Sequence, residues 1–486
     1  MPVLYRTQLS IKQLTPVFAA RHAFVRPTLF ILFAIVAAGL ATNARAGSPP
    51  PDEVIHQMIG AISTDSLLKH IQVLEDAGGT RSRISFTPGK DSAAVYIKEV
   101  FDRMPGLSSV YYDTFYVSSA KHPYNTIPQV NVVATIEGSA YPDSYYVIGG
   151  HFDSTSDRDA NWNDGADWQT MEAPGANDNA TGVAAVLEIA RVLSDPATGF
   201  RPDYTLVFVA FGVEERIPAS IRFVNTNANH VGSRHFATRA GNRNDDIRGM
   251  ISIDMIGYNN HHEYTALVMH NNFMVNESVQ FGTLLYYANQ DFDIGLTMNS
   301  YPFARGAYSD HDTFADEGYP SVLVIENAPP WRNNTENDTS PFLYYANPYY
   351  HKTTDTWEKI NMPLVTKVTQ LNLATIATFG GYIDTFTEDG DPDHPREITL
   401  AGNYPNPFNP ATNIVFELPQ SAHVELAIYD LTGSRIDVLV SETMPAGRHS
   451  IPFDAAAGGR SLSSGIYLYR LSSGAFAGSG KMLLIK

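Results

Sequence analysis

The stretch from Val207 to Arg216, VFVAFGVEER, ends a run of uncharged residues on two adjacent carboxylates, Glu214 and Glu215. Other apolar runs close in the same way. His151 and Asp153 follow YYVIGG, and Asp254 follows MISI. Asp178 stands in PGANDNATG just ahead of a helical pattern, and His351 lies in NPYYHKTTDTW. Each residue alone has a structural reading: a satisfied histidine, a turn acid, an aspartate capping a helix. Together, two imidazoles and three carboxylates form a nitrogen-and-oxygen ligand set of the kind zinc takes. Five ligands exceed the needs of one open catalytic zinc. They suit two ions that share a bridging carboxylate, with one glutamate of the 214–215 pair as ligand and the other free to act as a base.

Those residues need elements to hold them. Over residues 47–385, strand-like runs (VNVVATIEG, YYVIGGHFD, VFVAFG, MISIDMIGY, YPSVLVIE) alternate with helical patterns such as TGVAAVLEIARVL, Thr181–Leu193. Alternation of this kind predicts an α/β domain with a mixed, largely parallel sheet covered by helices on both faces. In such sheets, functional groups gather where the carboxyl ends of the strands emerge. Around 386–398 the chain turns polar and aperiodic, as a linker does. Beyond it, residues 399–486 carry short β-rich runs between Gly, Ser and Asn turns, the pattern of a small all-β sandwich.

Composition narrows the partners. With 33 Lys and Arg against 51 Asp and Glu, the chain carries a formal charge of −18, the reverse of a nucleic-acid-binding footprint. Residues 1–46 hold five basic residues and no acid, and the apolar run Thr28–Ala41 is shorter than the ~20 residues a membrane span requires. The run closes near Ala44-Arg45-Ala46, the layout of a cleaved secretory signal. The chain is therefore expected to be exported, secreted or at the cell surface, with no stable membrane span. It has no cysteine, so a bound metal would have only histidine and carboxylate ligands.

The order HFD, GANDNATG, FGVEE, DMIGY, SDHDTF, HKTTDTW closely resembles the co-catalytic zinc aminopeptidases of the bacterial leucine aminopeptidase type, a group that also contains glutamate carboxypeptidase II and glutaminyl cyclase. The resemblance covers roughly residues 130–375. It implies two Zn2+ per chain: His151 and Asp254 on one, Glu215 and His351 on the other, Asp178 bridging. It implies that Glu214 is the general base, activating a metal-bound water, and that Asp153 orients His151. The Asp178–Asn179 peptide matches a position that is often cis in the family. The implied activity is hydrolysis of N-terminal residues from peptides with a free N-terminus. Alternatives on the same scaffold are a glutaminyl-cyclase-like or carboxypeptidase enzyme, or a non-catalytic surface binding protein.

Two insertions depart from the family pattern. Residues 216–231 separate the glutamate pair from Gly232-Ser233, and residues 154–175 lengthen the loop after HFD; either suits a lid or an oligomer contact. The acids of the second loop, Asp157, Asp159, Asp164 and Asp167, read as a solvated loop or a calcium ligand set. SDHDTF and the aromatics Tyr258 and 342–350 are candidates for lining the substrate pocket. The segment NYPNPFNPATNIVFELP with the closing GSGKMLLIK resembles the β-sandwich sorting domains of proteins exported by Bacteroidetes-like bacteria, which implies contact with secretion machinery.

Overall fold

A computed structural model of the chain describes residues 51–484 apart from 164, 166, 224–228, 260–264, 271–276, 303–308, 327–346, 382–397, 405, 407, 409, 432, 446, 457–461 and 475. The expected signal segment, nearly all of the linker and most of the aromatic run 342–350 lie outside the described residues.

The first part of the chain alternates as its pattern predicts. Helices α1 (Pro51–Gly60), α2 (Thr64–Asp76) and α3 (Pro88–Asp102) precede strands β1 (Ser109–Phe115), β2 (Gln129–Ile136) and β3 (Tyr141–His151). Helix α4 (Thr181–Leu193), strand β4 (Tyr204–Phe211), helix α5 (Val231–Arg243) and strand β5 (Asp246–Ile253) follow. Then come β6 (Thr265–His270), α6 (Glu277–Asp291), β7 (Thr297–Pro302), α7 (His311–Asp316), β8 (Ser321–Ile325) and α8 (Met362–Gly380). The eight strands form one sheet in the order β1-β2-β4-β3-β5-β8-β6-β7. Its centre, β4-β3-β5-β8, is parallel; β2 pairs antiparallel with β1 and β4, and β6 antiparallel with β8.

Strand β4 shows how both faces are covered. Leu206, Phe208 and Ala210 point into a core shared with α2, α4 and α8. Val207, Val209 and Phe211 point the other way, against Phe236, Ala237 and Ala240 of α5 and Phe314 of α7. The period of two in the strand sends alternate residues to opposite layers. Helix α4 is apolar nearly all round and nearly all buried, as a helix between a sheet and further helices should be. Its one buried acid, Glu188, accepts from Arg191 Nε at 2.9 Å and from the Ser63 amide at 2.7 Å. Helix α8 begins with Pro363 in its first turn and an Asn361 side chain accepting from the Leu364 amide.

In the second part, the strands of each sheet pair antiparallel. Strands β9 (Thr399–Tyr404), β10 (Ala411–Leu418) and β13 (Gly447–Asp454) form one sheet. Strands β11 (Ala422–Tyr429), β12 (Arg435–Met444), β14 (Gly465–Ser473) and β15 (Phe476–Leu484) form another. Phe408, Ile414, Phe416, Val424, Leu426, Tyr469 and Leu484 make a core of their own.

Among the helices, His70 of α2 is a buried histidine bonded through Nδ1 to the Tyr96 hydroxyl at 2.8 Å. Burial drives its pKa down to about 4, against an opposing pull from Glu188. The folded chain therefore resists protonating His70 while the unfolded chain does not. Its contribution is intact above the ordinary value of 6.5 and is lost as pH falls from there toward about 4, by roughly 3 kcal/mol in all. Denaturant unfolding at pH 7 and pH 4.5 should show a stability difference that shrinks in His70→Gln. An unchanged difference would assign the acid sensitivity to other groups.

Candidate metal centre

Three neighbouring parallel strands deliver the candidate residues to one edge of the sheet. His151 is the last residue of β3 and pairs in register with Phe211, the last of β4. Glu214 and Glu215 lie three and four residues beyond Phe211, and Asp254 follows the last residue of β5. Asp178 comes from a single π-turn, Ala176–Ala180, that leads into α4. Its peptide to Asn179 is cis, as the family resemblance implies. Ala180 is the N-cap residue of α4, and Asn179 just before it accepts the Gly182 amide through Oδ1 at 2.9 Å, so Asp178 is not consumed in closing the helix start. Gly182 is required there: a Cβ would stand 2.2 Å from the Ile253 carbonyl, so only glycine lets α4 approach β5 this closely.

The ligand atoms converge. His151 Nε2 stands 3.2 Å from Asp178 Oδ1 and 3.4 Å from Asp254 Oδ1. His351 Nε2 stands 3.1 Å from Asp178 Oδ2 and 3.3 Å from Glu215 Oε2. Glu214 Oε2 is set back, 3.8 Å from His151 Nε2. All six side chains are buried. Two ligand atoms each about 2.0–2.2 Å from a shared zinc, at tetrahedral angles, lie about 3.3–3.5 Å apart, close to the separations seen here. Two carboxylate oxygens, Glu215 Oε1 and Asp254 Oδ1, are buried with no hydrogen-bond partner. Among the described residues no lysine or arginine pairs with Asp178, Glu214, Glu215 or Asp254. The donor set and its unpartnered oxygens fit metal ions.

The hydrogen bonds behind these atoms fix which ring nitrogen faces inward. His151 Nδ1 lies 3.2 Å from the Asp153 carbonyl and 3.9 Å from its Oδ1. His351 Nδ1 donates to Asp157 Oδ1 at 2.8 Å. Each bond holds the proton on Nδ1 and turns the Nε2 lone pair toward the carboxylates. The Asp153 carboxylate mainly serves another purpose. It accepts the Glu214 amide at 2.9 Å, the Glu215 amide at 3.2 Å and the Ser85 hydroxyl at 3.0 Å. It thus ties the end of β3 to the main chain of the glutamate pair. Asp355 does the same for the π-turn, accepting the Asn177 and Asp178 amides at 3.1 Å each. Ser309 of SDHDTF donates to Asp254 Oδ2 at 2.9 Å, so that loop touches a candidate ligand.

The electrostatics follow from this crowding. Burial pushes the Glu214 carboxyl well above its ordinary range, reinforced by Glu215, Asp310 and Asp254. Burial likewise raises Glu215 and Asp310 to about 7. Asp178 goes the other way: burial opposes its ionisation, but hydrogen bonds from His151 and His351 hold it below the usual carboxylate range. Burial works against a charge on either histidine, yet the surrounding carboxylates raise both. The cluster therefore favours positive charge at each Nε2.

Several residues here have contacts that the sequence did not assign to them. Asp157 and Asp159 belong to the loop read as solvated or calcium-binding; the first grips His351, and the second accepts Thr353 Oγ1 at 2.6 Å. Asp164 lies outside the described residues. Trp168 of that loop donates Nε1–H to Ser220 Oγ at 3.0 Å and shares a small core with Val213, Ile217 and Ile221, so the two insertions pack on each other. His230 places Nε2 2.7 Å from Glu214 Oε1. Tyr258 donates its amide to Glu326 and meets the Tyr349 ring edge-on at 5.9 Å.

The model of the peptidase family M28 matches residues 131–376, half of the chain. The chain belongs to peptidase family M28. Residues 403–486 match the secretion system C-terminal sorting domain. A probable zinc metalloprotease of Pyrenophora teres f. teres is 30% identical over 216 residues, 43% of this chain and 42% of that protein. The M28 chain thus spans well under half the length of the curated relatives it matches. Its fold is that of the Legionella pneumophila LapA aminopeptidase (19% identity, TM-score 0.50, 71% of this chain and 79% of that one). It is also that of a leucine aminopeptidase precursor from Bacteroides thetaiotaomicron (17% identity, TM-score 0.50, 65% and 97%).

One buried cation braces this M28 centre from outside. Arg83 is fully buried and donates to four main-chain carbonyls: Phe152 at 2.7 Å, Leu74 at 2.8 Å, Pro174 at 2.6 Å and Gly175 at 2.8 Å. It joins the end of β3 to the loop before Asp178. Arg83→Met should cost at least about 3 kcal/mol of unfolding free energy, because it strands buried carbonyls. Urea denaturation checks this; near-normal stability would show that water replaces the guanidinium.

Proposed function

We propose that the chain is an exported dinuclear zinc aminopeptidase. His151 and Asp254 would hold one ion, Glu215 and His351 the other, with Asp178 between them. The observation that carries this reading is the position of Asp178: its two oxygens lie 3.2 Å from His151 Nε2 and 3.1 Å from His351 Nε2. One carboxylate spanning two imidazoles is the arrangement a bridging ligand needs. The setback of Glu214, beyond the distances of the other five, supports its being a base and not a ligand.

The two ions, when bound, polarise the scissile carbonyl and lower the pKa of a shared water. Glu214 Oε2 accepts the proton of the attacking water and returns it to the leaving amine. Burial, which makes this carboxylate harder to ionise, also makes it a better proton acceptor than an exposed one. The resemblance to the zinc aminopeptidases implies a substrate with a free α-amine, which an acetylated N-terminus lacks. Export is supported by the basic, then apolar, leading segment and by the match of residues 403–486 to a secretion sorting domain.

Leu-, Phe-, Arg- and Glu-headed peptides, free and N-acetylated, test the activity. Release of the first residue is expected from the free peptides alone, abolished by a chelator and restored by zinc. Cyclisation of glutaminyl peptides, or C-terminal trimming, without such release would replace the aminopeptidase reading. Glu214→Ala should keep both zinc ions and lose about 10²–10⁴-fold in kcat; turnover near normal would remove Glu214 from the mechanism.

Asp157→Asn tests the His351 site separately. Losing the charged partner of a ligating imidazole should weaken one of the two zinc ions about 10–100-fold. Zinc titration of the apo chain, followed by calorimetry, would show one affinity falling and the other holding. Two unchanged affinities would show that Asp157 merely anchors its loop.

A further inference from the structure

Glu214 presents its two oxygens to different partners. Oε2 faces His151 Nε2 at 3.8 Å, on the side of the ligand cluster. Oε1 faces away from it, 2.7 Å from His230 Nε2. That contact is delivered by the insertion after the glutamate pair. The excursion leaves at Glu215 and returns to the residue beside it: the His230 amide donates to the Glu214 carbonyl at 2.7 Å, and the Val231 amide to the Val213 carbonyl at 2.8 Å. Backbone and side chain of the same histidine thus both end on Glu214. His230 is buried and sits at φ +52°, a left-handed conformation uncommon for a residue other than glycine. Its Nδ1 has no hydrogen-bond partner. Among the described residues, no hydrogen-bond partner of Nδ1 competes with Glu214 for the proton.

We propose that His230 is a positioning residue for the general base. The neutral imidazole donates Nε2–H to Glu214 Oε1, and this leaves Oε2 as the oxygen that receives the proton of the attacking water. The terminal torsion of a glutamate is broad and nearly two-fold, so an untethered carboxylate would present either oxygen at a range of angles. A fixed donor on Oε1 removes that freedom before the substrate arrives. Burial supports the neutral form, holding the His230 pKa down to about 3, with His151, His311 and Arg234 adding to the effect.

This inference rests on the proposed role of Glu214, and the test separates the two. Wild type, His230→Leu, His230→Gln and Glu214→Gln are compared as full chains, with zinc content and unfolding midpoint measured for each. His230→Leu removes the donor at similar volume and should lower kcat about 10–100-fold, with KM within about two-fold and both zinc ions retained. His230→Gln keeps an N–H donor and should recover most of that loss. A readout independent of turnover is the imidazole Nε2–H proton of the 15N-histidine-labelled chain. It should resonate downfield in wild type, vanish in His230→Leu and shift in Glu214→Gln. Unchanged kcat in His230→Leu beside a slow Glu214→Gln would overturn the role of His230 alone. Equal losses in His230→Leu and His230→Gln would do the same, since packing and not the donor would then matter. Normal turnover in Glu214→Gln would overturn the base and this inference with it. If His230→Leu does not retain zinc, the proton resonance decides: its absence from wild type, or its indifference to Glu214→Gln, rejects the bond.

Discussion

Burying Asp178, Glu214, Glu215 and Asp254 in one cluster is the constraint to which the surrounding structure answers. Ionised carboxylates that close together, without water, repel one another and lose their hydration. Two histidines cannot offset four acids. Under the proposed loading, two dications balance four carboxylates, and the sum of formal charge at the centre falls to zero. The rings are set up for that outcome, since each donates Nδ1–H outward to an oxygen of the chain and turns a lone pair inward. The chain thus carries in its folded state an electrostatic cost that only positive charge removes. Folding of residues 131–376 and metal binding should therefore be linked.

Rigidity comes from tying main chain to main chain through buried side chains. Asp153 joins the strand carrying His151 to the amides of the glutamate pair, and Asp355 holds the turn carrying Asp178. Arg83 bridges the same two regions through the Phe152 and Gly175 carbonyls. The backbone near the centre is correspondingly unusual. Val213, Met255 and His351 all have positive φ, and for a β-branched residue such as Val213 that is a costly conformation. It sits between β4 and Glu214, where the chain must turn sharply to place two successive amides on one carboxylate. Strain of this kind persists only where the surroundings over-determine it, and it gathers at functional sites.

The residues legible in the sequence were those that the sheet itself aligns. Parallel strands carry their carboxyl ends to one edge, so an acid or histidine just past an apolar run marks that edge, and His151, Glu214, Glu215 and Asp254 all have this mark. The parallel centre of the sheet and the separate antiparallel part were legible for the same reason, in the periods of their apolar residues. Asp178 was ambiguous because helix caps and metal ligands use the same residue type at the same place; only the structure shows Asn179 accepting the Gly182 amide instead. Asp153 was assigned to its neighbour His151, two residues away; its carboxylate also reaches the amides of the glutamate pair beyond β4, which nothing near it in the chain announces. Asp355 was passed over inside HKTTDTW because nothing in the chain near it announces a partner 177 residues away.

The two insertions teach the same lesson from the other direction. Read along the chain, a lengthened loop is a departure from the pattern and invites a role at the periphery, as a lid or contact surface. In space, the described residues of 154–175 and 216–231 share a core through Trp168, Ile217 and Ile221, which also takes in Val213, the residue before Glu214. Each sends one side chain inward: Asp157 to the outer nitrogen of His351, and His230 to the outer oxygen of Glu214. Because the two loops pack on each other, neither residue is set independently. A substitution at the Trp168–Ser220 bond would displace both, one acting on a candidate ligand and the other on the candidate base. Among the described residues, Trp168, Ile217 and Ile221 anchor both segments by buried apolar contact, so under the proposed roles of Glu214 and His351 the added segments bear on the chemistry together.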